Sequence, residues 1–263
     1  MLCDAVAVFP ESVEAALPGW SAEHQRWTEQ NLPGNVAADG GWWLHFHSYL
    51  VTSESGAVLV DTGIGPAGGE AANWLGTSGR LPGLLAAAGV AAEDIDTVVL
   101  THIHTDHAGW NMANEQPRFG NATYVVQQAE LDHARGGATY DNLIKPIADA
   151  GQLRSVSGEI SLSGVKLLPT PGHTPGHQCV ATDRAILGGD VLVHPAQARW
   201  PDLTYVYERD PAVAVTSRRD VLARAAATGI PLAAAHPHTA LDSTGTPLAA
   251  PTPTTSTCPP HQL

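Results

Sequence analysis

Short apolar segments recur along the chain, and most of them end in a turn or in polar residues. Segments of this length predict strands, the clearest of which cover 44–51, 57–60, 96–100 and 122–126. Longer segments predict helices over 81–88, 127–134, 143–150 and 211–228. Polar residues at strand ends are common positions for ligands and catalytic groups, so a functional site is expected at these ends.

Composition divides the chain into three parts. Residues 1–40 are expected to form an irregular lead segment, and residues 41–248 the main domain. Residues 249–263 are rich in Pro and Thr and are expected to form a disordered tail. Within the main domain, the Gly-rich stretch 64–80 is interpreted as a loop that borders a site.

A string of metal-binding side chains follows the strand predicted over 96–100. It contains His102, His104, Asp106 and His107. Neutral imidazole and carboxylate are the usual ligands for zinc and other first-row metals. Because His102 and His104 are two residues apart, a helix would direct them to different faces, whereas a strand-to-loop transition can direct both to one point. A polar loop with incidental histidines is the alternative, and the complete string favours a metal site.

Three later segments place further candidate ligands at or near the ends of short apolar runs. His173 follows one such run, Asp190 ends a Gly-Gly-Asp turn, and His236 follows another run. Asp61 ends a fourth strand in the sequence Asp-Thr-Gly. A rigid scaffold can bring groups at separate strand ends to one site.

The ordered motifs VDTG, HxHxDH, PGHTPGH, GGD and a late histidine resemble the metallo-β-lactamase superfamily over roughly residues 40–240. The resemblance implies an α/β fold of the αββα type, in which two mixed sheets pack face to face with helices outside. It also implies that 41–248 is a metallo-β-lactamase-like hydrolase domain, with its metal site at one edge between the sheets.

The same resemblance implies two divalent metal ions, with zinc the first expectation and manganese, cobalt or iron compatible with the same ligands. The first ion is implied to bind His102, His104 and His173, the second Asp106, His107 and His236, and Asp190 bridges them. A water or hydroxide would be the other bridge and the nucleophile. Asp106 is then expected to take or give a proton, and Asp61 either orients a ligand or only ends its strand.

Residues 107–111 and 189–197 resemble the branch that contains methyl parathion hydrolase and some N-acyl-homoserine lactonases. Members of this branch hydrolyse lactones, aryl esters or phosphotriesters, so cleavage of a small lactone or ester is expected. Other lactonases carry a Tyr shortly after the bridging Asp, where this chain has His194. His194 is interpreted as a catalytic donor to the substrate oxygen, with packing near Trp200 as the alternative.

Other activities stay open. A thioesterase or cyclase that acts on an acyl thioester in a biosynthetic pathway is the main alternative, followed by a phosphotriesterase and by a non-catalytic metal-binding protein. Metallo-β-lactamases usually lack a bridging Asp at the position of Asp190. RNA-processing members require a basic surface.

Charge argues against a nucleic-acid partner, because 13 Lys and Arg are opposed by 26 Asp and Glu and the formal net charge is −13. The basic pair Arg218-Arg219 is interpreted as a solvated helix face. A small-molecule substrate is the expected partner, and a homodimer is compatible with the sequence.

Cys3, Cys179 and Cys258 are too few and too far apart to predict a disulfide framework. The N-terminus lacks a signal-peptide pattern, and no run reaches the ~18 apolar residues that a membrane span requires. A cytoplasmic location with no membrane partner is therefore the expectation.

Two further residues are candidates for the substrate pocket. His47 lies on the same strand face as His45, so it either touches substrate or is a polar group at a sheet margin. Trp110, together with Trp42 and Trp74, either walls an apolar pocket or belongs to the core.

Overall fold

The computed structural model describes residues 1–37, 40–54 and 56–248. Its strands within those residues are Leu2–Val8 (β1), Trp43–Ser53 (β2), Gly56–Val60 (β3), Thr97–Val99 (β4), Met112–Ala113 (β5), Gln116–Pro117 (β6), Thr123–Gln127 (β7), Leu153–Val156 (β8), Ile160–Leu162 (β9), Val165–Pro169 (β10), Gln178–Ala181 (β11), Ile186–Gly189 (β12) and Leu232–Ala234 (β13). Its α-helices are Val13–Ala16 (α1), Ala22–Asn31 (α2), Glu70–Leu75 (α3), Leu81–Ala87 (α4), Thr105–Ala108 (α5), Gln128–Ala134 (α6), Ala138–Leu143 (α7), Lys145–Asp149 (α8), Ala196–Arg199 (α9) and Pro211–Thr228 (α10).

Two mixed sheets form the frame of the fold. The first has the strand order β1-β2-β3-β4-β7-β8, with β1 to β3 antiparallel and β3 to β8 parallel. The second has the order β13-β12-β11-β10-β9, in which only β12 and β13 run parallel. β5 and β6 form a separate two-stranded hairpin.

Alternation along the strands explains the layers, because successive side chains point to opposite faces of a sheet. Val60, Val99 and Val125 face the second sheet and pack with its residues Leu167 and Val180. The opposite face of the first sheet packs against helices α4, α6 and α8. α10 covers the outer face of the second sheet. The predicted αββα sandwich is therefore confirmed.

The N-terminal part of the chain differs from its prediction. Residues 1–40 contain β1, which pairs with β2, followed by α1 and α2, so the expectation of an irregular segment is wrong here. The sequence pattern does not predict β1, because most of its residues are buried and a strand buried on both faces shows no polar-apolar alternation. The domain boundaries at 41 and 249 stay predictions, and the predicted tail 249–263 lies outside the described residues.

The stretch 64–80 was interpreted as a loop, but it contains α3. The helix predicted over 143–150 corresponds to α8, which begins two residues later with a proline in its first turn, while α7 ends at Leu143. Within the part of the chain that the structure describes, no helix has both the length and the apolar character needed to cross a bilayer.

The two adjacent arginines of α10 have different environments. Arg218 is buried, donates from Nε to the carbonyl of Val191 at 3.0 Å and forms an ion pair with Glu208. Arg219 is exposed and pairs with Asp202 at the surface. The interpretation of both as a solvated face is therefore wrong for Arg218, which holds the segment that follows the predicted ligand Asp190.

We predict that Arg218→Ala lowers the free energy of unfolding by about 3–5 kcal/mol, because it leaves Glu208 buried without its counter-charge. The control Arg219→Ala removes an exposed pair and should cost no more than about 1 kcal/mol. Urea denaturation of the two variants measures both values. Equal losses would contradict the proposed difference in burial.

Candidate metal centre

The predicted ligands gather at one edge of the sandwich, just beyond the ends of its strands. His102 to His107 follow β4, with Asp106 and His107 in the short helix α5. His173 follows β10, Asp190 follows β12, and His236 follows β13. Both sheets therefore contribute ligand candidates to the same point.

One group of side chains consists of His102, His104, His173 and Asp190, whose ligand atoms all lie within 4.8 Å of one another. Nδ1 of His104 lies 2.9 Å from Nε2 of His102 and 3.1 Å from Nε2 of His173. Nitrogen ligands of a tetrahedral zinc ion lie about 3.4 Å apart, given zinc–nitrogen distances of about 2.0–2.1 Å. The spacing therefore suits one ion.

A second group consists of Asp106, His107 and His236, again within 4.8 Å. Oδ2 of Asp106 lies 3.5 Å from Nε2 of His107 and 3.6 Å from Nε2 of His236. These distances also suit a shared ion, with three protein ligands.

Asp190 lies between the two groups. Its Oδ2 is 3.2 Å from Nε2 of His173 and 3.9 Å from Nε2 of His102. Its Oδ1 is 3.2 Å from Nε2 of His107 and 3.1 Å from Nε2 of His236. One carboxylate oxygen thus faces each group, which is the arrangement that a bridging ligand requires.

The residues present fit a metal. Nε2 of His107 and Oδ1 of Asp190 are buried and make no hydrogen bond of acceptable geometry within the described residues. Buried polar atoms are normally satisfied, and a bound cation would satisfy both of these. Burial, together with neighbouring imidazoles, holds the pKa of His102 and His173 well below its ordinary value. Their neutral rings keep a lone pair for a metal.

Hydrogen bonds fix the orientation of the candidate ligands. Oδ2 of Asp61 lies 2.9 Å from Nδ1 of His107, and the same carboxylate accepts from the backbone and the hydroxyl of Thr101. Nδ1 of His236 donates to the carbonyl of His45 at 2.8 Å. Both bonds leave Nε2 of the ring directed at the centre, as metal-binding histidines require.

His177 supports Asp190 from behind. Its Nε2 accepts from the backbone N–H of Asp190 at 2.9 Å, and its Nδ1 donates to the carbonyl of Thr170 at 3.1 Å. Burial lowers the pKa of His177 to about 4, so the ring is neutral and can accept the first of these bonds.

Glu130 is a site residue that the sequence analysis missed. Its buried carboxylate accepts from the backbone of Ile103, the hydroxyl of Thr174 and the backbone of Gly176. It thereby ties the loop of His102 to the loop of His173. A lone Glu in the predicted helix 127–134 offers no sequence signal for this role.

An open cavity of about 630 Å³ lies above the centre. Its floor includes ligand candidates from both groups, and its wall includes the aromatic residues Phe9, Trp42, Trp74, Tyr205 and Tyr207. Tyr205 is stacked against His173, with ring centroids 6.3 Å apart. Tyr205 was not singled out in the sequence because it lies fifteen positions after Asp190, in a segment without regular structure.

The predicted site residues His194, His47 and Trp110 do not line this cavity. His194 is buried, with its ring 4.9 Å from the rings of both Trp20 and Trp42, and its Nδ1 accepts from the backbone of Ala196. Burial lowers its pKa to about 3, which keeps the ring neutral. The interpretation of His194 as a catalytic donor is corrected to a packing role.

His47 and Trp110 also point elsewhere. His47 is buried beside His45, with ring centroids 5.7 Å apart, on the face of β2 opposite to the cavity residue Leu44. Trp110 donates from Nε1 to the buried carboxylate of Asp4 at 3.1 Å. Neither ring lines the cavity. The face of a strand or the side of a loop that is directed at the cavity depends on the whole fold, so the sequence alone did not indicate it.

A family model of the metallo-β-lactamase superfamily matches residues 42–247. The chain belongs to this superfamily. The match spans the whole set of candidate ligands, so the resemblance drawn from the sequence motifs is confirmed at the level of the family.

Two curated relatives are N-acyl homoserine lactonases. The one from Bacillus cereus is 31% identical over 160 residues, 56% of this chain and 59% of that protein. The one from Bacillus sp is 33% identical over 144 residues, 49% of this chain and 55% of that protein. The chain thus spans little more than half of the length of these relatives.

Two solved structures show the same fold. A probable metal-dependent hydrolase from Staphylococcus aureus superposes with a TM-score of 0.76 at 20% identity and covers 94% of each chain. The dizinc quorum-quenching lactonase AidC, in complex with a product, superposes with a TM-score of 0.70 at 20% identity, covering 90% of this chain and 89% of that chain.

We predict that Asp61→Asn weakens zinc binding about 10–100-fold, because an amide cannot accept all the hydrogen bonds that Asp61 accepts from Thr101 and His107. Asp61 has a φ of 56°, a conformation that Asn tolerates, so the backbone should persist. Competition with a chromogenic chelator measures the affinity. The exposed control Asp132→Asn should bind zinc as the unmodified chain does, and unchanged binding in both variants would contradict the role of Asp61.

Proposed function

We propose that this chain is a dinuclear metal-dependent hydrolase that opens a lactone or ester bond of a small molecule. The observation that carries the proposal is the position of Asp190, which presents one oxygen to each of two imidazole groups. Zinc is the proposed metal, since nitrogen and oxygen ligands at these spacings suit it. Family membership and the lactonase relatives support the same reaction class.

Two divalent ions bound here would lower the pKa of water to near 7 and polarise a substrate carbonyl. Side chains of the protein would supply proton transfer and the positioning of the candidate ligands. Asp106 is the most accessible carboxylate of the centre, with 20% of its side chain exposed, and it lines the cavity where a leaving alkoxide would need a proton. Asp61 and His177 hold His107 and Asp190 in place while the charge of the substrate changes.

The proposed substrate class is the N-acyl homoserine lactones. The cavity combines ligand candidates on its floor with the aromatic side chains of Phe9, Trp42 and Trp74 in its wall. An N-acyl homoserine lactone has a polar lactone ring and an apolar acyl chain. The ring would react at the floor of the cavity, and the acyl chain would lie along the aromatic wall. The curated relatives are N-acyl homoserine lactonases, and the match covers 55% and 59% of their length.

Tyr205 is the proposed donor to the substrate oxygen in place of His194. It lines the cavity beside His173. Burial and the nearby carboxylates of Asp190 and Asp106 raise the pKa of its phenol, so the hydroxyl keeps its proton and can only donate to a developing negative charge.

We predict chelator-sensitive hydrolysis of an N-acyl homoserine lactone, measured as proton release in a weakly buffered indicator assay. Asp190→Ala should lower metal content and turnover together, because both groups lose a shared ligand. Full occupancy by two metals in this variant would contradict the bridging role. If a two-metal sample leaves lactones intact but cleaves acyl thioesters, the lactone assignment fails and the hydrolase assignment stands.

We predict that Tyr205→Phe lowers kcat for the lactone by about 10², with a smaller change in KM, because it removes one donor to the transition state. Tyr207→Phe is the matched control, since Tyr207 lies on the exposed rim and donates to Glu11. Steady-state kinetics of both variants separate the two roles. A loss confined to Tyr207→Phe would overturn the assignment of Tyr205.

A further inference from the structure

A second kind of ligand cluster lies behind strand β2, away from the cavity. Cys3 of β1 is directly opposite His47 of β2, and His45 is two residues further along the same face. All three side chains are buried, and one potential ligand atom of each lies within 4.8 Å of the others. The cluster combines a thiol with two imidazoles.

The distances within this cluster are compatible with a metal site. Sγ of Cys3 lies 3.8 Å from Nδ1 of His45. Sulfur and nitrogen ligands of a tetrahedral zinc ion lie about 3.6 Å apart, given bond lengths of about 2.3 and 2.0–2.1 Å. Small side-chain rotations therefore suffice to bring both atoms to one ion.

The second nitrogen of His45 is held by a backbone carbonyl. Its Nε2 lies 3.2 Å from the carbonyl oxygen of Gly34, to which it can only donate. A neutral ring that donates from Nε2 carries its lone pair on Nδ1, the atom that faces Cys3. Metal-binding histidines are oriented by the same device, and His236 uses it in the candidate metal centre.

We propose that Cys3, His45 and His47 bind a third zinc ion, separate from the ions of the candidate metal centre. One thiolate and two imidazoles are zinc ligands, and a tetrahedral ion takes a fourth. His238 packs edge-on against His45, with ring centroids 4.8 Å apart, and is an imidazole beside the cluster.

The proposed ion has a structural role. It joins β1 to β2 at the point where the carbonyl of His45 accepts from His236. The register between β1 and β2 shifts between Cys3 and Ala5, and the intervening Asp4 accepts from the backbone of Ile64, Arg80 and Leu81. A metal at Cys3 would thus hold both the orientation of a catalytic-site imidazole and the strand that supports the loops beside it.

Cobalt substitution tests the proposal without reference to activity, because the ligand candidates of the main centre contain no sulfur. The experiment uses the full chain with Cys258→Ser, so that Cys3 and Cys179 are its thiols. Apoprotein titrated with Co²⁺ should bind three equivalents and develop a thiolate-to-cobalt charge-transfer band in the near ultraviolet. Adding Cys3→Ser should remove this band and one equivalent.

Cys179→Ser is the matched control. Cys179 is also buried, but its sulfur contacts the hydroxyl of Thr170 and the carbonyl of Gly188 in the second sheet. This variant should keep the band and all three equivalents. Two equivalents without a charge-transfer band in the parent protein, or a band that survives Cys3→Ser, would overturn the proposal.

A measurement on the zinc protein keeps the test decisive if Cys3→Ser does not fold. X-ray absorption of the Cys258→Ser protein should show zinc–sulfur scattering at about 2.3 Å in addition to nitrogen and oxygen. Scattering from nitrogen and oxygen alone would show that Cys3 only packs against His45, and the proposed site would be rejected.

Discussion

The interaction on which the site depends is the contact of one buried carboxylate, that of Asp190, with imidazoles from both sheets. His102 and His107 come from the segment after β4, whereas His173 and His236 follow strands of the second sheet. Burial lowers the pKa of His102 and His173, whereas the carboxylates of Asp190 and Asp106 raise the pKa of His107 and His236 despite their burial. Under the proposed function, bound metal ions would satisfy the inward-facing atoms and join the two sheets at this point.

The cost of burying charge explains the surrounding hydrogen bonds. Asp61, Glu130 and Asp4 are buried carboxylates, and each accepts several hydrogen bonds from backbone N–H groups or side chains. An uncompensated buried charge would cost several kcal/mol, so the loops can close over these groups only in conformations that supply donors. The same bonds that make burial tolerable also position the ligands. Stability and preorganisation of the site thus arise from one set of contacts.

The ligand candidates could be predicted from the sequence because their pattern is local. The segment from His102 to His107, which follows β4, shows the ligand pattern within six residues. Asp190 directly follows β12, and His236 lies two residues after the end of β13. The roles of His194, His47 and Trp110 could not be predicted in this way. Whether each faces the cavity depends on the direction of a loop or the face of a strand, which the packing of both sheets decides.

The roles of residues that contact distant parts of the chain could not be predicted from the sequence for a related reason. Glu130 joins two loops, and Arg218 holds the segment after Asp190 from a helix far along the chain. Their side chains are charged, so the sequence favours exposure. Only the fold shows that each is buried and paired, because most of the partners are backbone groups, which every sequence possesses.

The aromatic wall of the cavity and the candidate metal ligands come from different segments of the chain. Phe9 follows β1, Trp42 precedes β2 and Trp74 lies in α3, so the aromatic wall comes from segments outside the ligand motifs. Phe9 joins them, with its ring 5.0 Å from that of Trp42 and 5.7 Å from that of Trp74. Trp74 keeps 53% of its surface exposed, which leaves an apolar edge at the cavity for a substrate to cover. Under the proposed function, changes in these segments would alter the preferred substrate while the candidate metal ligands stay in place.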